Sequence, residues 1–223
     1  MTTQDHHFVY AFPEVRRVSD GRIELNWPDG RQAFHAQMAL HTIETAHLVR
    51  CLPAAFSPDE CRRIVELGDA RAKVDGILED GSDRYQKHRV SQVSWIEPNA
   101  ETHWLYHRLG VVLQDANAQY GFDLRGLVDL LQYTLYGPEQ HFDWHIDIGS
   151  GRSSVRKLSM TIQLSDAADY QGGELEFVGG SVPQQRELGT AIVFPSMLAH
   201  RVSPVTGGQR RSLVVWACGP SFR

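Results

Sequence analysis

The stretch Gln140–Gly151, QHFDWHIDIGSG, sets His145 and Asp147 two residues apart in a run alternating bulky apolar and polar residues that ends in a Gly/Ser-rich loop. In an extended strand, residues i and i+2 share a face, so His145 and Asp147 project together while Trp144 and Ile146 point the other way. By the same rule His141 lies on the face of His145. With eleven histidines in 223 residues, one such pair arises easily by chance. Its meaning depends on residues further along the chain.

Two ligands do not hold a metal. The third candidate is His200 in FPSMLAHRVSPV, where an apolar run gives way to a short turn. An H-x-D pair with a distant His is a two-His-one-carboxylate set, which occupies one face of a redox-active ion and leaves positions open for co-substrate and O2. Further on comes Arg210, with Ser212 on the same face of the strand RRSLVVWA. A guanidinium beside a hydroxyl receives a carboxylate through paired hydrogen bonds, and suits the distal carboxylate of 2-oxoglutarate. Arg211 is the neighbouring alternative, disfavoured by strand parity. Ser212 also reads as a strand hydroxyl satisfied locally.

The rest of the chain is compatible with one globular unit of 223 residues, 42% apolar, with a net charge of −5. Residues 1–50 read as an N-terminal extension packed on the core, with strand-like runs such as RIELNW that form an edge ribbon. Residues 51–223 read as the functional domain. Three cysteines without C-x-x-C spacing indicate neither a disulfide framework nor a thiolate zinc site. The absence of a leader pattern and of a run of about 20 apolar residues predicts a cytoplasmic protein with no membrane partner. No Lys/Arg run favours nucleic acid.

FSPDECRRIVELGDA carries a helix signature: Ser57 as N-cap, Pro58 at the first helical position and Glu60 at the third. A second helix fits NAETHWLYHRLGVVLQDANAQYG, with Asn99 as cap and Gly121 as stop. His103 and His107 share a face of that helix, but without H-E-x-x-H they read as a solvated or half-buried face rather than a zinc site. From Leu127 onward the pattern is of short strands: VDLLQYTLYG, HFDWHID, KLSMTIQLSD, GELEFVGG, GTAIVFP, HRVSPV and RRSLVVWACG. The predicted class is mainly β with flanking helices (α+β), a sandwich or jelly roll with the helices on one sheet.

These pieces in this order, LYGPEQHFDWHID, LSDAADYQGGELEF and GTAIVFPSMLAHRVSPVTGGQRRSLVVW, with FSPDECRRIV more loosely at the front, resemble the 2-oxoglutarate/Fe(II)-dependent dioxygenases of the prolyl 4-hydroxylase-like branch. The resemblance implies a double-stranded β-helix of cupin-like type, with Fe(II) on His145, Asp147 and His200 and the 2-oxoglutarate tail on Arg210. It implies that Tyr136 lines the co-substrate pocket and that Trp216 lies close to metal and substrate. Where several relatives have a tyrosine that hydrogen-bonds the co-substrate, this chain has Gln163, whose amide can also donate. The expected reaction is hydroxylation of an unactivated C–H bond in an amino acid, peptidyl residue or small metabolite. O2 is consumed, and ascorbate is a supporting reductant.

Substrate candidates are Trp216, Arg89 and Trp144, with Arg152 and Arg156 in the loop GSGRSSVRK. That loop reads either as a lid carrying cationic contacts or as a solvated hairpin tip. Two rivals stand beside the hydroxylase. A non-catalytic cupin-like metal sensor or storage module has no use for the carboxylate receptor at Arg210. A halogenase requires the carboxylate ligand to be missing, and Asp147 is present.

Overall fold

The computed structural model describes residues 10–12, 14–17, 22–26, 32–36, 48–76, 88–178, 180–181 and 185–221. The chain enters through β1 (Tyr10–Ala11) and a three-stranded antiparallel sheet of β2 (Glu14–Arg17), β3 (Arg22–Asn26) and β4 (Gln32–Ala36). Next come β5 (Arg50–Leu52), α1 (Pro58–Asp69), β6 (Val74–Asp75), β7 (Arg89–Val90), β8 (Gln92–Ile96) and α2 (His103–Tyr120). After α2 the chain forms β9 (Gly126–Leu127), β10 (Leu131–Tyr136), β11 (His141–His145), β12 (Arg156–Gln163), β13 (Tyr170–Gly172) and β14 (Leu175–Phe177). The series ends with β15 (Gly180–Ser181), β16 (Ala191–Pro195), β17 (His200–Val202), β18 (Val205–Gly208) and β19 (Arg210–Cys218).

Two antiparallel sheets make the jelly roll. The major one runs β5-β16-β12-β19-β10-β8-β6, with β9 joined to β19 and β1 to β9; the minor one runs β15-β14-β17-β11-β7. Pairing of β1 with β9 draws the N-terminal residues into the major sheet, and Phe12 is buried in the helix-side core. RIELN is the middle strand of the separate β2–β4 sheet.

The central strands of the major sheet, β16, β12, β19 and β10, are buried on both faces, each face for a different reason. Leu131 and Tyr133 of β10, Leu158, Met160 and Ile162 of β12, and Leu213, Val215 and Ala217 of β19 pack with Ile64, Leu105, Leu109 and Leu113 of the helices. The alternate residues turn toward the minor sheet, and many of them are polar: Gln132, Thr134, Ser159, Thr161, Gln163, Arg210 and Ser212. At one end that inner space closes on Tyr136, Leu175, Phe177, Ile192, Phe194, Val202 and Val205. Buried polar faces need partners, so the inner face is where a ligand belongs.

In α1 the expected reciprocal cap is present: Glu60 N–H donates to Ser57 Oγ at 3.2 Å and Ser57 N–H to Glu60 Oε2 at 2.8 Å. For α2 the cap differs from expectation. Thr102 is the N-cap, and Asn99 Oδ1 instead accepts from Glu101 N–H and Thr102 N–H, bracing the turn before the helix. Gly121 ends α2 with φ +70°. His103 is exposed and His107 half-buried on the helix surface. Among the described residues, no helix is long and apolar enough to cross a membrane.

Candidate metal centre and its two pockets

His145 on β11 and His200 on β17 are direct cross-strand partners, which brings their rings to 4.2 Å between centroids. Asp147 completes the set. His145 Nε2 lies 3.6 Å from its Oδ1 and His200 Nε2 lies 3.6 Å from its Oδ2, and the three ligand atoms fall within 4.8 Å of one another. Both Nδ1 atoms face backbone carbonyls, Asp143 O at 2.8 Å and Leu198 O at 2.9 Å. A carbonyl only accepts, so each Nδ1 carries the proton and each Nε2 turns a lone pair to the shared point. Among the described residues this is the one group of three that could hold a metal.

Simple strand alternation does not explain this geometry. β11 ends at His145, and Asp147 lies beyond it, its N–H donating to Ser196 O at 2.9 Å. Register also shifts between Phe142 and His145, and the irregularity stacks Phe142 on His145, with centroids 3.5 Å apart and planes at 9°. Phe142 therefore joins His145 inside, while His141 places its Nδ1 3.2 Å from Glu139 O. The shared face predicted for His141 and His145 is lost to that irregularity.

Burial, then the repulsion that two protonated rings would have, lowers the His145 pKa to about 4, so the imidazole is neutral and ready to ligate at pH 7. Burial opposes ionisation of Asp147, but the two imidazoles, the Ser159 hydroxyl and the Arg156 guanidinium hold its carboxyl below the usual range. Ser159 Oγ donates to Asp147 Oδ2 at 2.5 Å and lies 3.0 Å from Ser196 Oγ.

Beside this centre is an inner cavity of about 40 Å3, reached by Tyr136, Thr161, Arg210 and Ser212. Arg210 is 3% exposed; its Nη1 donates to Ser212 Oγ at 3.2 Å, and its Nε is buried with no partner. A buried guanidinium with an open donor is what an anionic co-substrate tail would satisfy, and the His-Asp-His donors suit a divalent ion. Arg211 takes the opposite face, where its Nε lies 3.9 Å from Asp69. Gln163 does not line the inner cavity; its Nε2 donates to Ser165 O at 3.2 Å and to Tyr170 Oη at 3.0 Å.

On the other side opens a cleft of about 910 Å3. Arg89, Arg152, Arg156 and Trp216 line it; Trp144 does not. Trp144 is 43% exposed on the outer side, beneath the Arg201 guanidinium at 5.0 Å. The loop read as a lid or a solvated tip runs along this cleft, with residues 149–152 exposed. Gly151–Val155 form a 3-10 turn, Arg152 donates to Val128 O, and Arg156 is buried at the start of β12. Arg156 Nε donates to Asp129 Oδ2 at 2.9 Å and its Nη1 to Asp147 O at 3.0 Å, with the guanidinium 4.0 Å over Trp216.

Arg89 is 8% exposed, bonded through Nε to Ser91 Oγ at 3.0 Å and stacked over Phe142 at 4.7 Å. Its Nη2 and the Trp216 Nε1 are buried without partners. Burial pulls the Arg89 pKa down, opposed by Tyr136 and Asp147. Gly76 leaves it room, since a Cβ there would stand 2.7 Å from Arg89 Nε.

Sequence reading missed Ser159, Ser196, Phe142, Asp129 and Thr161. A hydroxyl every second residue in KLSMTIQ was the available signal for Ser159 and Thr161. The others depend on contacts across strands.

The sequence profile of the 2OG-Fe(II) oxygenase superfamily matches residues 131–218. A PKHD-type hydroxylase of Picosynechococcus sp. is 30% identical over 168 residues, 74% of this chain and 75% of that protein. One from Shewanella oneidensis is 29% identical over 175 residues, with the same coverage of each chain. Two solved structures share the fold. A Pseudomonas putida prolyl-4-hydroxylase has a TM-score of 0.60 at 21% identity, covering 78% of this chain and 94% of its own. A Trichoplax adhaerens prolyl hydroxylase, in complex with a hypoxia inducible factor oxygen degradation domain peptide fragment, has a TM-score of 0.62 at 15% identity, covering 77% and 83%. With its His-Asp-His centre set in the same jelly roll, the chain belongs to the 2OG-Fe(II) oxygenase superfamily, as a hydroxylase dependent on Fe(II) and 2-oxoglutarate.

Proposed function

We propose that the protein hydroxylates a C–H bond of a peptidyl residue, with Fe(II) on His145, Asp147 and His200 and the distal carboxylate of 2-oxoglutarate on Arg210 and Ser212. The observation that carries this reading is the buried, open Nε of Arg210 in a cavity it shares with the three ligands. Bound there, iron and co-substrate supply an O2-dependent oxidation in which C–H becomes C–OH and 2-oxoglutarate becomes succinate and CO2. Tyr136 walls the co-substrate chamber. Phe142, stacked flat on His145, excludes water from one side of the centre.

The cleft supports a peptidyl substrate over a free amino acid. Arg89 Nη2 and Trp216 Nε1 offer two unmatched donors to a carbonyl. The carboxylates lining the cleft are Asp129, paired with Arg156, and Asp147, the ligand. An α-ammonium group would therefore find no counter-ion among the described lining residues. The cleft is also open enough for a chain to cross, and the Trichoplax neighbour holds a peptide. Arg152 and Arg156 act here as walls, with Arg156 supporting Trp216 from behind. Three free cysteines fit a reducing cytoplasm, and ascorbate is the supporting reductant.

The test compares short peptides, N-acylated amino acids and free amino acids with Fe(II), 2-oxoglutarate and ascorbate, reading succinate and the gain of one oxygen by mass. Turnover is expected with peptides and acylated residues. Turnover confined to free amino acids would overturn the assignment.

A further inference from the structure

Family resemblance assigns Gln163 to the co-substrate, but the structure sets its amide the wrong way round. Ser165 O, which can only accept, faces one end of the amide at 3.2 Å, so that end is Nε2. Tyr170 Oη takes the second Nε2 hydrogen at 3.0 Å. What remains is Oε1, buried and without a donor. An acceptor cannot bind a carboxylate, and turning the amide over would set its oxygen against Ser165 O.

The same face of β12 holds another candidate one step nearer the metal. Ser159, Thr161 and Gln163 point inward in series, opposite Trp216, Val214 and Ser212 of β19. Ser159 touches Asp147, and Gln163 is level with Ser212, so Thr161 lies between the metal ligand and the arginine receptor. It lines the inner cavity, and among the described residues its hydroxyl meets no hydrogen-bond partner. We propose that Thr161 Oγ1 donates to the distal carboxylate of 2-oxoglutarate, the contact the resemblance gives to Gln163, completing a receptor with Arg210 and Ser212. This rests on the reading of the site as one for 2-oxoglutarate.

The test is anaerobic titration of the Fe(II)-loaded protein, reading the visible metal-to-ligand band, with 2-oxoglutarate and with 2-oxopentanoate, which has a methyl in place of the distal carboxylate. Thr161→Val should raise the Kd for 2-oxoglutarate about tenfold or more, as loss of a hydrogen bond to a charged group implies. The Kd for 2-oxopentanoate and the iron affinity should stay put, and Thr161→Ser should retain wild-type affinity. An equal rise for both ligands marks a packing effect and overturns the proposal, as does an unchanged Kd in Thr161→Val. Absence of any band in the wild-type protein would instead overturn the 2-oxoglutarate reading itself.

Discussion

Among single residues, the centre depends on how one carboxylate is held. Ser159 occupies Asp147 Oδ2, and Ser196 fixes the Ser159 hydroxyl in turn, which leaves Oδ1 as the free ligand atom. Groups that orient metal ligands typically contribute about 10–100-fold to metal affinity. Ser159→Ala is accordingly expected to weaken Fe(II) or Co(II) binding by about that factor, measured by anaerobic competition against a chelator, while the fold is kept. An affinity equal to wild type would remove Ser159 from the metal-holding set. None of this was legible from Ser159 itself, because its partner stands outside its own strand and is reached only when the two sheets close.

Among the strands, parity decides which arginine matters. β19 sends Leu213, Val215 and Ala217 to the helices and Arg210, Ser212, Val214 and Trp216 to the ligand side. Arg211 is left outside near Asp69. Arg210→Ala should raise the Kd for 2-oxoglutarate about tenfold or more with iron affinity unchanged, whereas Arg211→Ala should leave both near wild type. The reverse ranking would put the receptor on the other face of β19. Gly173 shows how tightly the arginine is seated: it holds φ +67°, and a Cβ there would stand 3.1 Å from Arg210 Cδ. Parity failed in β11, where an irregular register put Phe142 and His145 on one side. It also gave no warning of short strands such as β6, β7 and β13, whose two or three residues are too few to show a period.

Across the molecule as a whole, the Asp129–Arg156 pair ties the loop before β10 to the start of β12, next to both the backbone carbonyl of Asp147 and the face of Trp216. The side chains of Arg156 and Asp129 are 10% and 9% exposed. Removing one partner leaves a charge stranded in the interior, so Asp129→Ala should cost about 3–5 kcal/mol in denaturant unfolding of the metal-free protein. Replacing both, as Asp129→Leu with Arg156→Met, should recover most of that loss while altering substrate binding. A single variant as stable as wild type would show that water reaches Arg156.

The strand-rich class, the reciprocal cap of α1, and the candidate ligands His145, Asp147 and His200 with Arg210 could all be read before any fold was known. The class and the face of Arg210 rest on a period of two, the cap on a capping rule, and the ligand set on residue type and the order of the motifs, since His200 lies on another strand and alternation fails in β11. Folding in three dimensions was needed for the rest: the cross-strand meeting of His145 and His200, the Ser159 hold on Asp147, the pairing of Arg156 with Asp129, and the engagement of the Gln163 amide by Ser165 and Tyr170. Each of those depends on which strands are neighbours and on which backbone carbonyl faces which side chain. A periodic pattern tells which face a residue takes, but not what stands opposite it.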